Sequence, residues 1–198
     1  MRDWSGAIAR EDITLGLLAG GRAMRLGGRD KAWLVRDGVA QVVRLLQRYG
    51  AQAGPLLVSA NAGLARYAGA GIETVGDRVA DAGPLGGLDA LAAACRTSWL
   101  LTLPVDVVDT DEQLVPTLVG AAGRTGVRAQ DEDGLQPLVA LWRVDALRGA
   151  AAAALRDGSL AVQAVQQRLG MGVVRFAGVR FGNLNTPDDL RAAGMETD

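Results

Sequence analysis

The sequence predicts an α/β fold, a mostly parallel sheet with helices on both faces. Two observations predict it. Short apolar runs rich in leucine and β-branched residues alternate with stretches of helical spacing, and a glycine-rich cationic segment follows the first run without a break. The runs at 13–19, 56–60, 72–75 and 99–105 are too short for helices and read as buried strands. After the first, Val39, Val42, Val43 and Leu46 fall on one helical face ahead of Arg48; before the last, Leu85, Leu88, Leu91 and Ala92 repeat the spacing. In such an alternation ligands collect at the carboxyl ends of the strands. Further on, the pattern predicts a helix over 111–122, strands over 127–130 and 138–142, and alanine-rich helices over 145–156 and 160–169. The stretch Asp131-Glu132-Asp133-Gly134 has the composition of a solvated turn. Thr186-Pro187-Asp188-Asp189 supplies an N-cap, a proline at the first helical position and two acids near the positive dipole end, so a helix starts at Pro187. Trp99 and Trp142 sit in strand-like runs and read as core.

Composition narrows the function classes. A chain of 198 residues, 49% hydrophobic, with no composition break, reads as a short extension over 1–12 followed by one domain over 13–198. Such a domain buries roughly 70% of its unfolded surface, so stability calls for neither a metal nor a disulfide. The net charge of −1 argues against a nucleic-acid or membrane surface as partner. Cys95 is the single cysteine and lies in an apolar helical run, which points to core filling and a reducing compartment. Residues 1–12 hold no apolar stretch of leader length, and no run approaches a membrane span, so the expected location is cytoplasmic. With no histidine in the chain, chemistry falls to carboxylates, Lys, Arg, backbone amides and a hard metal ion.

The most informative stretch runs from Gly20 to Lys31, with four glycines, three arginines and one lysine directly after the first strand. Glycine lets backbone N–H groups approach an anion closely, and the cations complete the charge balance. The paired glycines fit neither a Walker A loop nor Gly-x-Gly-x-x-Gly. A triphosphate suits the charge: Lys31 as a point charge on a phosphate, Arg22 and Arg25 as bidentate holders of oxygens.

These residues, Leu18-Ala19-Gly20-Gly21-Arg22 followed by Arg25, Gly27, Gly28, Asp30 and Lys31, resemble the signature of molybdenum-cofactor guanylyltransferases. Ser59-Ala60-Asn61, Asp77, Gly83-Pro84-Leu85-Gly86-Gly87, Leu103-Pro104-Val105-Asp106 and Asn183-Leu184-Asn185-Thr186-Pro187 follow in the same order, so the resemblance spans about 13–193. The chain departs from the family at Leu26, where methionine is usual, at Val105, where cysteine is usual, and at Gln136, where histidine often precedes the proline. The resemblance implies a three-layer Rossmann-like nucleotidyltransferase fold. It implies that Leu18, Ala19, Gly20, Gly21 and Arg22 line the nucleotide, that Lys31 and Arg25 meet phosphate, that Asn61 and Asp77 contact the nucleoside, and that Asp106 holds Mg²⁺. Gly83, Pro84, Leu85 and Gly86, with Asn183 and Asn185, would border the acceptor. The partners so implied are GTP and a molybdopterin-type cofactor, with delivery to molybdoenzymes or their chaperones.

Chemistry supports these roles beside ordinary alternatives. Asp106 emerges at a strand end and offers the oxygen that Mg²⁺ prefers, or it is a turn or N-cap aspartate, with Asp109 a weaker second candidate. Asp77 can accept from N1–H and the amino group of guanine, or it is an exposed turn charge, and Asn61 binds ribose or base or closes a turn. The loop before the second helix offers amides to an anion or serves as plain helix entry. Asn183 and Asn185 straddle Leu184, so an extended backbone puts both amides on one side; capping of the next helix is the alternative. The implied reaction is in-line attack by an acceptor phosphate on the α-phosphorus of GTP, with pyrophosphate leaving. A cytidylyl or sugar-phosphate transferase, or a non-catalytic nucleotide-binding module, are the rival readings.

Overall fold

The computed structural model describes residues 8–20, 30–108 and 112–196. The first apolar run forms β1 (Ile13–Leu18), buried at all of its positions, because it lies in the sheet interior with helices on both faces. Asp37 and Gly38, both at positive φ, turn β2 (Val35–Arg36) back on β3 (Val39–Ala40). Helix α1 (Gln41–Tyr49), strand β4 (Leu56–Ser59), helix α2 (Leu64–Gly69), strand β5 (Thr74–Val75), helix α3 (Pro84–Ala94) and strand β6 (Trp99–Pro104) follow. The second half contributes α4 (Leu114–Gly120), β7 (Gly126–Asp131), β8 (Gly134–Arg143), α5 (Val144–Arg156), α6 (Val162–Arg168), β9 (Gly172–Arg175) and α7 (Pro187–Ala192).

The seven-stranded sheet has the order β5-β4-β1-β6-β8-β7-β9, with β8 antiparallel to both neighbours and the remaining pairs parallel. The expected mostly parallel sheet is therefore present. On one face α1 and α4 cover a core that includes Leu15, Leu17, Leu101, Leu103 and Leu118. On the other, α3, α5 and α6 cover Leu100, Trp142 and Leu147. Trp99 and Trp142 are both core residues, and the Trp142 indole N–H donates to the Thr102 hydroxyl at 2.8 Å, which removes the cost of burying it. Cys95 is buried.

Several expectations need correction. Val39 belongs to the β2–β3 hairpin rather than to α1, and the buried face of α1 is Val42, Leu45 and Tyr49, with Val43 and Leu46 half-buried. The third strand is confined to Thr74–Val75, because the Ile72 N–H is taken by the Tyr67 carbonyl at the end of α2. The acidic stretch is a hairpin turn only in part. Asp131 is 2% exposed; its Oδ1 accepts from the Asp133 N–H and the Gln136 amide, and its Oδ2 accepts from the Phe181 N–H at 2.9 Å. Its carboxylate joins the β7–β8 turn to the segment before α7. Glu132 and Asp133 are the exposed pair, and the Gly178 N–H, helped by Arg175, holds the Glu132 carboxyl below its usual range.

Among the described residues no helix is long and apolar enough to cross a membrane.

Candidate active site

Asp30 accepts from the Ala32 N–H at 3.0 Å and caps a single 3-10 turn, Lys31–Trp33, so Lys31 stands at the first position of a fixed turn. The turn is packed from behind. The Trp33 and Tyr67 rings lie 4.9 Å apart, and the Arg66 guanidinium sits 4.3 Å over Trp33. Burial, reinforced by the Asp30 charge, pushes the Tyr67 phenol up to about 12.

Lys31 Nζ reaches across to Asp106 Oδ2 at 3.0 Å and to Asn185 Oδ1 at 2.6 Å. Asp106 follows β6, at the carboxyl ends of the parallel strands, and the loop that carries it is fastened on three sides. Val105 N–H donates to the Leu18 carbonyl, buried Gln41 donates to the Val107 carbonyl at 2.7 Å, and the Leu184 N–H donates to the Asp106 carbonyl at 3.2 Å. Asn185 is held by the capping box of α7: its own N–H and that of Thr186 donate to Asp189 Oδ2, while the Asp189 N–H donates to the Thr186 hydroxyl. The Thr186 side chain first, then the Thr186 and Asn185 N–H groups, hold the Asp189 carboxyl below its usual range. Asn183 and Asn185 are exposed on either side of buried Leu184.

The nucleoside candidates gather at the ends of β4 and β5. Asn61 Oδ1 accepts from the Asp77 N–H at 2.8 Å, and its Nδ2 faces Gly20, where a Cβ would lie 3.9 Å away. Asn61 thus clips the Asp77 loop to the end of β4, next to the entry to the glycine-rich segment. The Asp77 carboxylate lies against Gly86: a Cβ there would come within 2.9 Å of Asp77 Oδ2. Leu18 is 6% exposed, and Ala19 donates its N–H to the Ser59 carbonyl.

In the loop before α3, Gly83 takes positive φ and Pro84 occupies the first turn without an N–H. The Gly86 N–H donates to the Gly83 carbonyl, and the Leu85 side chain is buried in the core, so fewer groups face outward here than the sequence suggests. Gly21, Arg22, Arg25 and Asp109 lie outside the described residues. A cavity of about 970 Å³ between α1 and the 178–180 turn, lined by Arg36, Arg44, Arg48 and Arg180, touches none of these candidates. It is an open groove beside the loop after β6, and Lys31, Asp106 and Asn185 converge outside its lining.

A lysine paired with a carboxylate where β1 and β6 end, with an asparagine-clipped aspartate farther along the same sheet edge, is an arrangement suited to a nucleotide's phosphates and base. The sequence from 16 to 170 matches the family model of the MobA-like NTP transferase domain. The chain belongs to this family. Curated relatives in this family include molybdenum cofactor guanylyltransferases from Cupriavidus pinatubonensis, 37% identical over 93% of this chain and 97% of the relative, and from Pseudomonas aeruginosa, 36% identical over 88% and 90%. Among solved structures, molybdopterin-guanine dinucleotide biosynthesis protein A from Archaeoglobus fulgidus superposes with a TM-score of 0.71 at 19% identity, covering 91% of this chain and 96% of that one. A 2-C-methyl-D-erythritol 4-phosphate cytidylyltransferase from Thermus thermophilus gives 0.70 at 20% identity, covering 90% and 96%. These two differently named proteins share the fold over 91% and 90% of this chain, so the fold alone leaves the acceptor open.

Asp131 and Asp189 are the structural contributors that sequence reasoning missed as such. Asp131 ties down Phe181, and Asp189 holds the Asn185 backbone. The capping pattern Thr186 to Asp189 carried a signal for the second; nothing local announced the first.

Proposed function

We propose that this MobA-like NTP transferase moves GMP from GTP onto the phosphate of a molybdopterin-type cofactor and releases pyrophosphate. The observation that carries the proposal is the Lys31–Asp106–Asn185 cluster at the sheet's carboxyl edge, in a chain 37% identical to a molybdenum cofactor guanylyltransferase. An acceptor phosphate oxygen forms a bond to the α-phosphorus as the bond to the bridging oxygen of the β-phosphate breaks, and that oxygen leaves with pyrophosphate. The attacking group needs no protein base, since a phosphomonoester with a second pKa of about 6 is already ionised at neutral pH. That suits a chain without histidine.

Lys31 supplies a fixed positive charge to the triphosphate, and Asn185 aims it. Arg22 and Arg25 add bidentate contacts to phosphate oxygens, together with the amides of Gly20 and Gly21. Asp77 accepts from the guanine edge while Asn61 holds its loop, and Leu18 and Ala19 line the nucleotide. Gly83, Pro84 and Gly86 with Asn183 border the acceptor. Leu85, being buried, contributes through its backbone.

Asp106 is the residue that would hold Mg²⁺. No group of three metal-binding side chains occurs among the described residues, and the partly exposed Asp106 carboxylate fits an ion that takes one or two carboxylates and completes its shell with water and phosphate oxygens. Bound there, Mg²⁺ would offset charge on the triphosphate.

Pyrophosphate release measured with GTP, CTP or UTP, each with a molybdopterin-type cofactor or a sugar phosphate, tests the reading. Release with GTP and the pterin is expected. Faster release with CTP, or with the sugar phosphate, overturns it.

A further inference from the structure

Arg128 stands in the middle of β7 and is 8% exposed. A guanidinium stays protonated at any ordinary pH, so the fold carries a permanent charge in its interior. Its surroundings do little to balance it. Nη1 donates to Gln166 Oε1 at 3.0 Å, Nε is buried without an acceptor, and no described carboxylate pairs with it. Gln166, itself fully buried on α6, donates Nε2 to the Pro137 carbonyl at 2.8 Å, which orients its oxygen toward Arg128. A neutral amide is a weak counterpart for a buried cation, and proteins normally pair such charges or leave them out.

The position gives the missing counterpart a place. Arg128 lies opposite Ala140 of β8, which in turn lies opposite Thr102 of β6. Two strand spacings, about 10 Å, therefore separate Arg128 from the strand that leads to Asp106. Pro137 lies nearer the start of β8, and β8 is antiparallel to β6, so the contact through Gln166 lies toward the edge where Asp106 sits. Arg128 is level with Thr102, inside that edge, and a group held by it is thus set aside from the reacting phosphates.

We infer that Arg128, oriented by Gln166, binds a second oxyanion group of the acceptor, set apart from its attacking phosphate. This rests on the proposed transfer to a phosphate-bearing cofactor. It makes Arg128 a specificity residue: an acceptor with a second anionic group completes the buried charge, and one without it leaves the charge unbalanced.

Two variants test it. Arg128→Met removes the charge and keeps much of the shape, and Gln166→Glu supplies an internal anion in place of the external one. Thermal unfolding is measured for each without ligand, then with inorganic phosphate and with molybdate as oxyanion probes, and KM is measured separately for GTP and for the molybdopterin-type acceptor. The wild-type midpoint is expected to rise with the probes. Both variants should unfold at or above the wild-type temperature without ligand, lose the probe-induced rise, and show an acceptor KM raised about tenfold or more with GTP KM unchanged. Unchanged acceptor KM and probe response in Gln166→Glu overturn the inference, as does a large loss of stability in Arg128→Met with acceptor KM unaltered. Should the wild type transfer no GMP to the pterin, the proposed function fails, while the probe-induced rise and its loss in the variants still decide whether Arg128 binds an oxyanion.

Discussion

Replacing Asn185 by alanine removes the amide oxygen that holds Lys31 Nζ at 2.6 Å and leaves Asp106, at 3.0 Å, as its remaining partner among the described residues. The bond that is lost is exposed to water and the Lys31–Asp106 pair stays in place, so the loss to folding is only about 0.5–1 kcal/mol. Stability should therefore barely change. Transfer should change more. A hydrogen bond to a charged group contributes about 1.5–3 kcal/mol, and since Asp106 still restrains the ammonium the lower end applies, which is about tenfold in rate. Lys31→Ala removes the preorganised charge itself and should lower transfer by roughly 10²–10³-fold. If Asn185 acts by aiming Lys31, the second loss disappears once the lysine is gone. The double variant then transfers like Lys31→Ala alone, and the coupling between the two sites equals the whole effect of Asn185→Ala, about 1.4 kcal/mol. Single-turnover transfer of labelled GMP at saturating GTP and acceptor, with thermal unfolding run on all four proteins, reads both quantities. A further tenfold loss in the double variant refutes the reasoning and makes Asn185 a direct substrate contact.

Asp106→Ala should lower transfer by roughly 10²–10³-fold, and a chelator should abolish wild-type activity until Mg²⁺ is restored; full turnover in chelator would count against a metal at Asp106. Gly86→Ala places a Cβ 2.9 Å from Asp77 Oδ2, so the carboxylate must swing away; a GTP KM raised about tenfold, with the unfolding temperature little altered, is expected, and an unchanged KM removes Asp77 from base recognition. The Tyr67 phenol, raised to about 12, stays protonated in the folded chain while the unfolded phenol ionises near its ordinary value of 10.0. Its contribution is present in full below pH 10 and should fade between about pH 10 and 12, at up to about 1.4 kcal/mol per pH unit. Denaturant unfolding across that range checks the slope, and Tyr67→Phe should flatten it.

The strands of the nucleotide half were legible because each is a short apolar run that breaks off at a glycine or polar residue, and that break is where a parallel strand delivers its loop. Asp106 and Asn61 could be placed at strand ends on that ground alone. The α1 face was misread by one strand because Asp37-Gly38, a standard hairpin turn signal, lay just ahead of Val39 and the hairpin is only two residues long on each side. The edge strand β9 left no trace: Val173 is 46% exposed, and pairing with β7 alone imposes no apolar pattern on it. Asp131 read as solvated because the Phe181 N–H that its second oxygen accepts from lies 50 positions away, and composition is blind to such a contact. The pairing of Lys31 with Asn185 across 154 positions was invisible for the same reason, although both residues were singled out separately.

That separation bears on how the enzyme comes into being. Lys31 is met by one partner 75 positions downstream and another 154 positions downstream. A polypeptide emerging from the ribosome can assemble most of its strands while the asparagine is still unmade, and in that condition its lysine is held by Asp106 without Asn185. The last turns of synthesis therefore complete the aim of a lysine already held from one side, and clipped copies would handle nucleotide about tenfold more slowly.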